Sequence, residues 1–123
     1  MPEQDHLESF IGNSFRSVWA LEVLQFLVEH NEGSFSPADL ITALRVSDAV
    51  VSQSVDNLTA AGLAMVDAEG RISLHAAKEA DRRLVREAID LYQRSPDKVR
   101  RLIVAQAAPG ITAFADAFKL RRD

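Results

Sequence analysis

Apolar residues between about Ser14 and His30 recur at helical spacing over more than one face: Val18, Trp19, Leu21, Val23, Leu24, Phe26, Leu27 and Val28. A helix apolar over so much of its circumference is buried on several sides or lies in a subunit interface. Asn31-Glu32-Gly33 ends it, with Gly33 or Asn31 suited to a left-handed residue. Residues 1–8, which precede it, are polar and are expected to fray. A second start follows at Ser36-Pro37, with Ser36 as cap, proline in the first helical position and Asp39 three residues after the cap. That helix runs to about Leu44 and buries Leu40, Ile41 and Leu44. After the turn Arg45-Val46, Ser47 caps a third helix over roughly Asp48 to Ala61. Val51, Val55 and Leu58 face its core at i, i+4 and i+7, and Gly62 closes it.

The period then changes. Leu63-Ala64-Met65-Val66 and Arg71-Ile72-Ser73-Leu74, joined by Asp67-Ala68-Glu69-Gly70, read as a hairpin with Gly70 at positive φ. Helical spacing returns from about Ala77 to Arg94, with Leu84, Val85, Ala88, Leu91 and Tyr92 on one face. Another helix opens at Ser95-Pro96-Asp97 and carries Val99, Leu102 and Ile103, until Pro109-Gly110 breaks it. Ile111, Phe114 and Phe118 suggest a last short helical stretch before the basic end Lys119-Leu120-Arg121-Arg122. The pattern predicts a mainly α fold with a small β-hairpin, in one domain spanning residues 1–123.

Composition narrows the chemistry. The 123 residues include no cysteine, which excludes disulfides, thiolate catalysis and cysteine-ligated zinc. Glu22, Gln25 and Glu29 interrupt the most hydrophobic segment, so no run approaches the ~20 apolar residues of a membrane span. The N-terminus is acidic where a secretory signal is basic and then apolar, and a soluble cytoplasmic protein is expected. The net charge of −4 conceals a division. Residues 1–70 hold two basic residues, Arg16 and Arg45, against eleven acidic ones, whereas residues 71–123 hold twelve basic and seven acidic.

Leu44, Val46, Ser47, Val51, Val55, Leu58, Gly62 and Leu63 fall where winged helix-turn-helix regulators of the MarR-like and ArsR-like kind carry a leucine, an aliphatic residue, a serine, a core stripe and a closing Gly-Leu. Over about residues 14–75 the chain resembles those bacterial regulators. Arg45 stands where they commonly have glycine. The resemblance implies a winged helix-turn-helix core with extra flanking helices, residues 76–123 forming a C-terminal helical extension and a dimerisation element. It also implies a DNA-binding transcription regulator, with the third helix in the major groove of double-stranded DNA.

With the core stripe buried, that helix exposes Asp48, Ala49, Ser52, Gln53 and Asp56. Gln53 suits a paired contact to adenine, and Ser52 a base edge or phosphate. The hydroxyls of Ser47 and Ser54, and Arg71 of the presumed wing, are further contact candidates. Candidate phosphate contacts elsewhere are Arg45 and the stripe Lys78, Arg82 and Arg86. That stripe is equally well read as part of a solvated face, because Glu79–Arg83, Arg83–Glu87, Arg86–Asp90 and Asp90–Arg94 are all i, i+4 pairs. Trp19, Phe26, Phe114 and Phe118 are candidates for a homodimer interface, although aromatic residues at helical spacing also serve as core.

The acidic residues support a second reading. Two aspartates on the recognition face oppose a polyanion, whose affinity rests on released counterions. An interaction adaptor whose acidic face docks a basic protein partner uses the same charges directly. Catalysis is not expected. His6, His30 and His75 form no metal-ligand pattern, no serine lies in a nucleophile elbow, and neither Gly12-Asn13-Ser14 nor Pro109-Gly110-Ile111 is a phosphate loop. No cofactor is implied.

Overall fold

The computed structural model describes residues 2–76 and 78–107 of the chain. The fold is mainly α with a small antiparallel hairpin. Its elements are α1 (Pro2–Ser14), α2 (Val18–Glu29), α3 (Pro37–Leu44), α4 (Asp48–Ala60), β1 (Ala64–Val66), β2 (Ile72–Leu74), α5 (Glu79–Arg94) and α6 (Pro96–Ala107). Among the described residues no helix is long and apolar enough to cross a membrane.

The N-terminal segment departs from expectation. Pro2–Ser14 is helical rather than frayed, and the next helix begins at Val18, not near Ser14. Leu7, Phe10 and Ile11 lie at i, i+3 and i+4 and supply one apolar stripe. Ile11 is fully buried, and Phe10 meets Phe15 edge to face at 6.0 Å. The helix packs on α5 and most extensively on α6, where Glu8 pairs with Lys98 at 3.2 Å. The two helices are separated at Phe15-Arg16-Ser17. Phe15 drops into the core, and the Ser17 hydroxyl accepts from the Ala20 amide at 3.3 Å to start α2.

The helices α3 and α4 follow their local signals. Ser36 and Asp39 form a reciprocal capping box over Pro37. Leu40 is fully buried, with Ile41 and Leu44 half-buried beside it. The turn passes through Arg45 at φ 57°, ψ 47°, a left-handed residue with a side chain. Ser47 accepts from the Val50 amide at 3.2 Å and caps α4. At the far end Gly62, at φ 77°, lets the Leu63 amide reach the Leu58 carbonyl and its own amide reach Thr59, a Schellman closure.

The hairpin pairs Ala64 with Leu74, Met65 with Ser73 and Val66 with Ile72. Asp67 Oδ1 accepts from the amides of Glu69 and Arg71, both at 2.9 Å, and Gly70 takes the positive φ of the loop. On the other edge of β2, Phe35 exchanges both backbone hydrogen bonds with Ile72, at 2.7 and 2.8 Å. The loop between α2 and α3 is thereby tied to the hairpin by a single isolated bridge. Buried side chains from α1, α2, α3, α4, the hairpin, α5 and α6 form one continuous core.

Candidate nucleic-acid interface

The helix α4 packs on α2, α3 and β1. Val51, Ser54, Val55 and Leu58 are buried, which leaves Asp48, Ala49, Ser52, Gln53 and Asp56 as one exposed face. Ser54 corrects the sequence reading. At 2% exposure it offers no hydroxyl to a phosphate, because it lies three residues after Val51 and four before Leu58, within the core stripe. Ser47 is exposed, but its oxygen is engaged as the cap.

Beside this face lies a feature the sequence pattern did not disclose. Separating α1 from α2 releases backbone groups that need partners. Asn57 supplies them from α4: its Oδ1 accepts from the Arg16 amide at 2.8 Å, and its Nδ2 donates to the Ser14 carbonyl at 2.8 Å. The amide thus fastens the α1–α2 break to the flank of α4. Arg16, Ser17, Gln53, Asp56, Asn57 and Ala60 line a shallow groove of about 350 Å³ there. Arg16 is exposed and enters no ion pair among the described residues. A signal was available in principle, since asparagine inside a helix is unfavourable unless its amide has work elsewhere.

The other candidates are dispersed. Arg45 is exposed in the turn before α4. Arg71 is turned inward, its Nε donating to the Ser34 hydroxyl at 3.0 Å and its Nη2 to the Ser34 carbonyl at 2.6 Å. Its guanidinium joins the hairpin to the α2–α3 loop. Lys78 is the N-cap residue of α5, and Arg82 and Arg86 are exposed along a helix that packs on α1 and α6 rather than chiefly on α4. Of the i, i+4 pairs read from the sequence, Asp90–Arg94 closes at 3.1 Å.

Trp19, on α2, is 46% exposed, an unusual position for so large an apolar side chain. Phe26 is half-buried and engaged within the chain, its ring 4.4 Å from that of His30 and 5.0 Å from that of Phe35. Phe114, Phe118 and the basic end Lys119-Leu120-Arg121-Arg122 lie outside the described residues. Tyr92, half-buried on α5, has its phenol pushed above the usual value by burial and then by Glu22, with Arg100 opposing both. Among the described residues no three histidine or acidic side chains are grouped to hold a metal ion. No family model, curated protein or solved structure matches the chain.

Proposed function

We propose that the chain is a cytoplasmic winged-helix transcription regulator that binds double-stranded DNA as a homodimer. The observation that carries the reading is the exposed face of α4. A short, doubly capped helix presents Ser52 and Gln53 outward while its other side is anchored in the core. The order α2, α3, α4, hairpin supports it, as does the isolated Phe35–Ile72 bridge that ties the hairpin to the α2–α3 loop. In this reading α4 enters the major groove, the Gln53 amide pairs with adenine N6 and N7, and Ser52 takes a base edge or phosphate. Trp19 is the exposed anchor for pairing two copies. A two-fold dimer then requires two half-sites about one helical turn, roughly 34–36 Å, apart.

The test is a mobility shift of the purified protein against fragmented genomic DNA, from low to physiological salt. Retention of a few fragments with two-fold related half-sites, weakening steeply with salt, is the expected result. No retention at low salt would refute the reading.

A second reading, an adaptor for a basic protein, draws on Asp48 and Asp56 being exposed on the same face while Arg71 is withdrawn against Ser34. Reversing both aspartates to lysine separates the two. DNA affinity rises if the face reads DNA, whereas capture of a basic partner is lost if the face docks protein.

A further inference from the structure

Resting on the DNA reading, we infer that Arg16 is a phosphate-binding residue of the α4 interface, held in register with Gln53 by Asn57. Gln53 and Asn57 are one turn apart on α4, so the side chain that faces the base edges and the one that grips the Ser14–Arg16 backbone share a flank. Both contribute to the same groove, and Arg16 lines it with them. The two hydrogen bonds of the clamp, each 2.8 Å, fix the main chain at Arg16 relative to α4. The guanidinium is therefore presented beside the helix, where the wall of the major groove carries phosphates. The groove also contains Asp56, an opposing charge, and a cation next to it is what allows a polyanion to approach this end of the face.

The distribution of charge supports the same conclusion. Residues 1–70 contain only two cations, Arg16 and Arg45, against eleven acids. Both stand at the borders of α4, Arg45 two residues before its cap and Arg16 beside its second half. Neither enters an ion pair among the described residues. Arginine suits a phosphate wall because its planar fork donates two parallel hydrogen bonds.

Asn57 holds the backbone amide of Arg16, not its side chain, so Arg16→Gln leaves the clamp intact. The experiment measures binding of this variant and the parent to a labelled duplex of roughly 30 base pairs, cut from the most strongly retained genomic fragment and long enough for two half-sites. Each is titrated across a range of salt by fluorescence anisotropy. One phosphate contact contributes about 0.9 to the slope of log K against log salt, which is about eightfold in affinity between 1 M and 0.1 M. Because the dimer carries one Arg16 in each protomer, Arg16→Gln is expected to lower the slope by about twice that amount, roughly 1.8, to weaken binding similarly on matched and mismatched duplexes, and to leave the melting temperature unchanged. Gln53→Ala is expected to keep the slope and lose discrimination. An unchanged slope for Arg16→Gln, with Gln53→Ala still losing discrimination, overturns the role of Arg16 and leaves the DNA reading standing. Failure of the parent to bind any fragment overturns both.

Discussion

Arg45 offers a direct test of how the turn before α4 is built. Its φ of 57° and ψ of 47° place a residue with a Cβ in the left-handed region. Such a conformation costs roughly 1–2 kcal/mol for an L-residue other than glycine. Replacing Arg45 by glycine removes that cost, and the greater freedom of glycine in the unfolded chain returns about 0.4–1 kcal/mol of it. The side chain is exposed and outside every ion pair among the described residues, so little packing is lost. The net expectation is a gain of roughly 0.5–1 kcal/mol. For 123 residues, at about 2.1 cal/mol/K of unfolding entropy each, this raises Tm by about 2–4 °C. Arg45→Ala is the control, since it removes the same charge and keeps the Cβ. The assay is urea and thermal denaturation of the three proteins followed by circular dichroism. If Arg45→Gly is no more stable than Arg45→Ala, the left-handed residue is not a source of strain and the argument fails.

Two further outcomes follow from contacts already described. Asn57→Ala orphans the Arg16 amide and the Ser14 carbonyl and is expected to lower stability by about 1–3 kcal/mol in urea denaturation; a loss below about 0.5 kcal/mol would show that water replaces the clamp. Tyr92 has a folded pKa above its unfolded value of about 10, so the unfolded chain ionises first. Its contribution is fully present below pH 10 and is lost as pH rises from there through the folded pKa. Tyr92→Phe is expected to flatten the alkaline fall in stability, and identical slopes above pH 10 would contradict the assigned burial.

What the sequence disclosed and what it hid divide along the range of the interactions. Ser36-Pro37-Asp39, Ser47 and Gly62 act within four or five residues, and each stands where its local signal placed it. The helix α1 was missed because its stripe of Leu7, Phe10 and Ile11 sits in an acidic, polar segment and its partners lie some eighty residues away on α5 and α6. The Asn57 clamp spans 41 and 43 residues and has no periodic signature. Arg71 had the composition of an exposed wing cation, and only the fold shows that Ser34 holds it. Ser54 is a different kind of error. Its position already belonged to the core stripe, and the residue type suggested exposure that the period denied.

The net charge of the first half is a poor guide to what α4 can bind, because charges act there at short range. At physiological salt the Debye length is about 8 Å, so most of the eleven acids are screened from any one point of the face. What remains is the local order: Asp48 near the start of α4, Ser52 and Gln53 in the middle, and Asp56 toward the end beside Arg16. Asp48 and Asp56 are eight residues apart, about 12 Å along the helix, and Ser52 stands one turn, about 6 Å, from each. Arg45 precedes the first aspartate and Arg16 stands against the second. Arg16 and Asp56 line the same groove, and the neutral donors and acceptors of Ser52 and Gln53 occupy the interval between the two acids. Such an arrangement disfavours generic attraction to a polyanion while leaving the centre of the helix free to discriminate. If the proposed DNA reading holds, the border arginines supply affinity and Gln53 selectivity, which is why their substitutions are expected to separate in a salt titration.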